Sequence, residues 1–221
     1  MAIPKLNKLL AQGLSESGIT EFNELEEKLI PRILGGSSLY IVCKSATDET
    51  ETAPEEKPSF AAISKDVTRA TMIAILQRLN YSQPDAPRAI IMAPTNEEAD
   101  LLVTQFKKLA KNMDLKIHLA HEGGLLDNQN KAIYAGADLV VATPKRLIKL
   151  YFECALNVNR VQTFVLYNAT RLIDARFHVE IDRFTDSLPK FQALVLTDEV
   201  NDKLKKACGK FMQTAQVFEI G

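Results

Sequence analysis

Seven short apolar runs alternate with amphipathic segments along the 221 residues of the chain, and this alternation constrains the fold more than any other feature. Nearly continuous apolar strands are typical of sheets that are buried on both faces. The sequence therefore predicts an α/β fold with a mostly parallel sheet of about seven strands and helices on both faces. The runs are LYIVC (39–43), RAIIMAP (88–94), KIHLAH (116–121), DLVVAT (138–143), TFVLYN (163–168), ALVLT (193–197) and QVFEI (216–220).

The segments between these runs are predominantly helical in pattern. Two helices, roughly 2–15 and 20–34, are predicted before the first strand, and NEEADLLVTQFKKLAKNM (96–113) has apolar residues at helical spacing. The one break in composition is SATDETETAPEEKPS (45–59), which is polar and acidic and contains two prolines. Such a segment predicts a long mobile loop.

Composition excludes several classes of protein. A hydrophobic content of 46% and a charged content of 25% are ordinary for a globular domain. The net charge of -1 gives no overall attraction to nucleic acid, so any such binding would come from a local patch. Three scattered cysteines predict neither a disulfide framework nor a zinc cluster, and no apolar run has membrane or signal-peptide character. These features predict a cytoplasmic chain that is not associated with a membrane.

Four of the predicted strands are followed by, or end in, the segments APTNEEAD (93–100), EGG (122–124), ATPKRLIKL (142–150) and FVLYNATRLID (164–174). In order and spacing, these segments resemble the PTRELA, GG, TPGR and VLDEAD motifs of DEAD-box RNA helicases. The stretch 188–200 resembles the one that holds the family's SAT motif. The resemblance implies that residues 1–221 form the first of the family's two RecA-like domains, a three-layer sandwich of the P-loop NTPase type. Residues 1–36 are then a helical lead-in that contains the Q motif.

The residues aligned with the family's phosphate loop differ from the family pattern. In the family, backbone N–H groups of this loop bind the phosphate, glycines permit its close approach, and a lysine neutralises its charge. Here Glu49 aligns with the lysine, and an exchange of lysine for glutamate about 4 Å from a phosphate changes the interaction by at most roughly 8 kcal/mol. We therefore expect the loop to exclude ATP phosphates. The aligned residues are Ala46, Thr47, Asp48, Glu49 and Thr50.

Other residues aligned with the nucleotide motifs are also changed. Tyr167 and Asn168 align with the Asp and Glu that begin DEAD, and they cannot supply a charged ligand to Mg²⁺ or act as a general base. Thr170 aligns with the last Asp of DEAD, and Glu26 with the glutamine that reads adenine. The sequence therefore predicts a degenerate nucleotide site with no catalytic residue, no metal and no ATP or Mg²⁺ cofactor, in a chain that is not an enzyme.

The TPKR segment keeps most of the motif that faces RNA in the family. Pro144 suits the first position of a helix, and Thr143 suits its cap. The free N–H groups of such a helix start can receive a backbone phosphate. Lys145 replaces the family's glycine, so that it and Arg146 form a basic pair at this strand end.

Two further segments are expected to face nucleic acid. Gly123 and Gly124 permit a backbone to approach closely, and Thr95 is expected to cap a helix that Glu98 closes as a capping box. Asn96 replaces the arginine of PTRELA and removes one phosphate contact. The predicted nucleic-acid-binding residues are Thr95, Gly123, Gly124, Thr143, Lys145 and Arg146.

Three functions follow from these expectations. The favoured one is a catalytically inactive helicase-like domain, a pseudoenzyme, that binds RNA or a protein partner without turnover. The second is a fragment of an ATP-dependent RNA helicase, and the third is a pure protein-interaction scaffold.

His118, His121 and His178 share no metal-ligand spacing, so packing or surface roles are expected for them.

We predict that Glu49→Lys leaves the affinity for single-stranded RNA nearly unchanged, because residue 49 lies in the segment aligned with the phosphate loop and outside the segments expected to face nucleic acid. Fluorescence anisotropy measures this affinity. A large change in it would contradict the expected separation of the nucleotide side from the nucleic-acid side.

Overall fold

Seven strands form the centre of the fold in a computed structural model that describes residues 5–43, 63–154 and 156–220. They pair in the order β3-β4-β2-β5-β6-β1-β7, and every pairing is parallel. The expected α/β fold is therefore confirmed, with a sheet that is wholly parallel. The strands are β1 (Leu39–Cys43), β2 (Ala89–Met92), β3 (Ile117–Ala120), β4 (Leu139–Ala142), β5 (Thr163–Leu166), β6 (Gln192–Thr197) and β7 (Gln216–Ile220).

Helices cover both faces of the sheet. The described helices are α1 (Lys8–Glu16), α2 (Glu24–Leu34), α3 (Lys65–Leu79), α4 (Asn96–Leu109), α5 (Leu126–Tyr134), α6 (Pro144–Phe152), α7 (Ala169–Asp174), α8 (His178–Thr185) and α9 (Asp202–Cys208). The predicted helix 96–113 ends early, at Leu109. The expected loop 45–59 and the phosphate-loop positions lie outside the described residues.

Alternate side chains of the central strands enter two separate apolar cores, because successive residues of a strand point to opposite faces of the sheet. Ile91 of β2 packs with residues of α1 to α4, whereas its neighbours Ile90 and Met92 pack with residues of α5 to α9. Both faces of the central strands are thus buried, which explains why their sequences are almost continuously apolar. The result is a three-layer sandwich.

A buried carboxylate joins the amino ends of three adjacent strands. Asp138, which precedes β4, is fully buried and accepts hydrogen bonds from Lys116 N (3.0 Å) before β3 and from Gln83 N (2.7 Å). It also forms an ion pair of 2.7 Å with Arg88, which precedes β2. Burial raises the pKa of Asp138, but these bonds and one from Ser82 outweigh that effect and lower it below its ordinary value. The carboxylate therefore stays charged and fixes the starts of β2, β3 and β4.

In the described part of the chain, no helix has the length and apolar character needed to span a membrane.

We predict that Asp138→Ala lowers the free energy of unfolding by about 3–5 kcal/mol, because it leaves the buried Arg88 guanidinium without its counter-charge. Asp85→Ala is the control, since Asp85 pairs with Arg160 at the exposed surface and such pairs contribute little. Urea unfolding of both variants is the measurement. Similar losses for the two variants would contradict the special role of Asp138.

Candidate nucleic-acid interface

The carboxyl ends of β3, β4 and β2 lie side by side at one edge of the sheet. The register pairs Ala142 with both Ala120 and Met92, so the three strands end at the same level. The pairing continues beyond the strands, where Thr143 N donates to Ala120 O at 3.1 Å. The segments that follow these three strands contain all six residues predicted to bind nucleic acid, and the fold therefore brings them to one edge.

Thr95 begins α4 much as the sequence predicts. Its hydroxyl oxygen accepts from Glu98 N at 3.2 Å, which is the expected cap. The capping box is incomplete, however, because the Glu98 carboxylate accepts a hydrogen bond from the Thr95 hydroxyl and from no backbone N–H of Thr95. Glu98 is instead drawn towards side chains that follow β5.

The loop between β3 and α5 turns at Gly123 and Gly124. Gly124 N donates to His121 O at 3.2 Å, and Gly123 N donates to His121 Nδ1 at 2.9 Å. A Cβ atom at Gly124 would lie 2.3 Å from Gln129 Nε2, and one at Gly123 would lie 2.7 Å from the His121 ring. The loop is folded tightly on its own side chains, so larger residues at these two positions would displace them.

Thr143 does not cap α6 with its side chain, and this part of the expectation is wrong. Its hydroxyl donates to Glu122 Oε2 at 2.6 Å, on the neighbouring loop. Pro144 occupies the first turn as predicted. The first turn of α6 therefore begins without a side-chain cap, and Thr143 ties the helix start to the loop.

Lys145 and Arg146 do not form the expected pair of surface cations. Lys145 is exposed, whereas Arg146 is only 7% exposed. Arg146 donates from Nη2 to Gly124 O and from Nη1 to Gln129 Oε1, each at 3.0 Å. Its side chain is directed into the protein because α6 packs against α5, which no local pattern in TPKR indicates.

On the nucleotide side, Glu26 is fully buried and already bonded. It closes a capping box with Asn23 at the start of α2 and forms an ion pair with Arg69 of α3. Its bond to Arg69 is the main reason that the pKa of that guanidinium is raised. Residues 46–50 of the same predicted site lie outside the described residues. The expectation that ATP and Mg²⁺ do not bind there stays a prediction.

Tyr167 fills the position just after β5. Its hydroxyl lies 3.2 Å from Thr68 Oγ1, and burial is the main cause of its raised pKa. Because Thr68 Oγ1 donates to Ser64 O, the tyrosine is the donor of this pair. A neutral phenol therefore occupies this position.

Asn168 and Thr170 are bonded to protein groups. Asn168 has left-handed backbone angles (φ 54°) and donates from Nδ2 to Glu98 Oε1 at 3.2 Å. Thr170 Oγ1 lies 2.6 Å from Thr197 Oγ1 and also bonds to Asp198. Among the described residues, no three His, Cys, Asp or Glu side chains cluster as a metal site would require.

Sequence reasoning gave Glu98 only a role in the capping box of α4 and missed Gln129 altogether. Glu98 links the start of α4 to the segment after β5, since it also accepts from Arg171 at 3.3 Å. Gln129 links α5 to the glycine loop and to Arg146. The position of Glu98, three residues after a cap, was a usable signal, but nothing local marked Gln129.

We predict that Tyr167→Phe lowers the free energy of unfolding by about 1 kcal/mol, because it removes a partly buried hydrogen bond to Thr68. Tyr81→Phe removes a hydroxyl from an exposed side chain and should have little effect. Thermal unfolding compares the two variants. An unchanged Tyr167→Phe variant would show that the phenol hydroxyl is not engaged.

Comparisons with known proteins find relatives that are similar in sequence and in fold. The chain is 27% identical over 209 residues to the ATP-dependent RNA helicase eIF4A of Eremothecium gossypii, and the alignment covers 94% of this chain and 48% of that protein. Its fold is similar to a DEAD box protein from Methanococcus jannaschii, with a TM-score of 0.82, 18% identity and coverage of 99% and 55% of the two chains.

A second solved structure with a similar fold is an S. cerevisiae dbp5 variant bound to nup159, a gle1 variant, ip6 and adp. Its TM-score is 0.78 at 18% identity, and the match covers 98% of this chain and 52% of that one. The chain thus spans about half the length of each of these three proteins.

These relatives correct one expectation from the sequence. The chain was expected not to be an enzyme, but proteins similar to it over most of its length are named ATP-dependent RNA helicases, which are enzymes. The expected first RecA-like domain, by contrast, agrees with the fold of these relatives. The model of the family described as DEAD/DEAH box helicase matches residues 68–204, more than half of the chain. The chain therefore belongs to the DEAD/DEAH box helicase family.

Proposed function

We propose that the chain binds single-stranded RNA through the sugar-phosphate backbone, along the edge formed by the segments after β2, β3 and β4. We call this edge the RNA edge, and it comprises Thr95, loop 121–124 and the first turn of α6. The observation that carries the proposal is the arrangement of these three segments at one level, two of them helix starts. The relatives are named RNA helicases, which supports RNA as the nucleic acid.

The start of α6 supplies the strongest anion-binding feature of the RNA edge. Its first N–H groups have no side-chain cap, and the Thr143 hydroxyl donates to Glu122. Unsatisfied N–H groups and the helix dipole both favour a negative group at this end. A backbone phosphate is the group that RNA would place there.

Lys145, in the first turn of α6, supplies a cation beside these N–H groups. It is exposed and forms no ion pair with any described residue. Loop 121–124 exposes Glu122 and Gly123 next to it, and the glycine allows a nucleotide backbone to come close. Glu97 and Glu122 weaken the local positive potential, so we expect modest affinity.

Contacts of this kind position a strand and carry no direct sequence information. Base preference should therefore be weak. Because the RNA edge neutralises only a few phosphates, the dependence of affinity on salt should also be small.

A second candidate function is ATP-dependent RNA unwinding, the activity for which the relatives are named. The family match over residues 68–204 favours it. Because the chain spans 48% and 38% of two such relatives, this activity is proposed for a protein that contains both RecA-like domains. RNA-stimulated release of phosphate from ATP tests this activity. Loss of that release in Asn168→Ala would assign the activity to the segment that follows β5.

Protein partners are a further proposal. The structurally similar dbp5 variant is bound to nup159 and a gle1 variant, which shows that a protein of this fold can carry partners. Binding to RNA should weaken as salt rises, with a slope of about 0.7 for each phosphate contact, whereas binding to a protein partner need not have such a slope. A salt titration therefore separates the two kinds of partner.

We predict that Lys145→Glu weakens binding to a single-stranded RNA by about tenfold or more, because a carboxylate then faces the phosphates. Fluorescence anisotropy at several salt concentrations is the measurement. The same variant should have a salt slope that is smaller by at least about 0.7, the value expected for one lost phosphate contact.

Lys205→Glu is the control, because Lys205 is exposed on α9 and carries the same charge away from the RNA edge. It should bind RNA nearly as well as the parent. If both variants lose affinity equally, the RNA edge is not the binding site and only the net charge matters.

A further inference from the structure

We propose that Arg146 is a positioning residue of the RNA edge, which holds the glycine loop and α5 in place from inside the protein and does not contact RNA. This inference rests on the proposed function, because it concerns the same surface. It assigns different tasks to two adjacent basic residues, with Lys145 facing RNA and Arg146 supporting the loop.

Burial separates Arg146 from the strand that it would otherwise bind. Only 7% of the residue is exposed, although it lies in the first turn of α6 beside the exposed Lys145. A phosphate of an RNA lying on the surface cannot reach a guanidinium in this position without a rearrangement of the loop. Arg146 must therefore act through its protein neighbours.

The two ends of the guanidinium bind two different segments. Nη2 donates to Gly124 O and Nη1 donates to Gln129 Oε1, both at 3.0 Å. Gln129 in turn donates from Nε2 to His121 O at 3.0 Å. Loop 121–124 is thus held at both of its ends by one connected set of side chains from α5 and α6.

The space around Gly124 is consistent with this clamp. A Cβ atom there would lie 2.3 Å from Gln129 Nε2, so the amide of Gln129 occupies the volume that a larger residue would need. The Gln129 side chain therefore packs directly against the turn of the loop. Arg146 fixes Gln129 by bonding to its carbonyl oxygen.

Charge neutralisation does not account for Arg146. It forms no ion pair with a carboxylate of the described residues, and its Nε atom is buried without a hydrogen-bond partner among them. The two nitrogens that do donate, Nη1 and Nη2, form a planar fork that bonds two acceptors at once. A lysine at this position would keep the charge but could not bond both acceptors in the same geometry.

Four variants of the full chain test the inference. Arg146→Lys keeps the charge and removes the fork, Gln129→Ala removes the second half of the clamp, and Lys145→Gln removes the proposed phosphate contact. Lys205→Gln is the neutral control. Hydrogen exchange of residues 121–125 without RNA, RNA affinity and its salt slope are measured for each, after thermal unfolding has shown that the variant folds.

We expect Arg146→Lys and Gln129→Ala each to accelerate exchange in loop 121–125 and to weaken RNA binding by roughly tenfold, with an unchanged salt slope. Lys145→Gln should leave loop exchange unchanged and lower the salt slope by about 0.7. This contrast separates positioning from direct contact. If Arg146→Lys does not fold, Gln129→Ala still breaks the same clamp from a partly exposed side chain.

An Arg146→Lys variant with the RNA affinity and the loop exchange of the parent would overturn the inference. A reduced salt slope in that variant would also overturn it. If the parent chain does not bind RNA at all, the proposed function fails instead. The exchange measurements would then still show whether Arg146 holds the loop.

Discussion

The buried carboxylate of Asp138 is the constraint on which the RNA edge depends. It fixes the starts of β2, β3 and β4 at one edge of the sheet through Arg88, Lys116 N and its own strand. Because β2, β3 and β4 have four residues each, their far ends then also lie at one level. A polar interaction at one edge therefore sets the geometry of the proposed site at the other, and the apolar strands between them transmit it.

The RNA edge combines an exposed layer with a buried support. Lys145 and Gly123 are at the surface, while Thr143, Arg146 and Gln129 connect the loop to α5 and α6 from inside. Glu98 makes a comparable connection at the start of α4, which it joins to Asn168 and Arg171 after β5. The surface proposed to bind RNA is therefore held in place by buried groups that are not expected to contact RNA.

The sequence predicts the layers and the strand ends well but not the directions of polar side chains. Alternation of apolar runs is a local property, so the sheet and its helices could be predicted. The partners of Arg146 lie 17 and 22 positions earlier in the chain, and the partner of Thr143 lies 21 positions earlier. The directions of these two side chains depend on how α5 packs against α6, and no short motif in the sequence predicts that packing. The expectation that the chain is not an enzyme, which the relatives contradict, has a similar origin. It rested on single motif residues, whereas the relatives are similar over most of the chain.

Hydrogen exchange with and without a short single-stranded RNA tests the central claim most directly, since it locates the contact without mutation. The account predicts slower exchange on RNA binding at residues 95–98, 121–125 and 143–146, with α9 and the amino edge around Asp138 unchanged. Slower exchange confined to α9 or to that amino edge, with none at the three predicted segments, would contradict the proposal that this edge binds RNA.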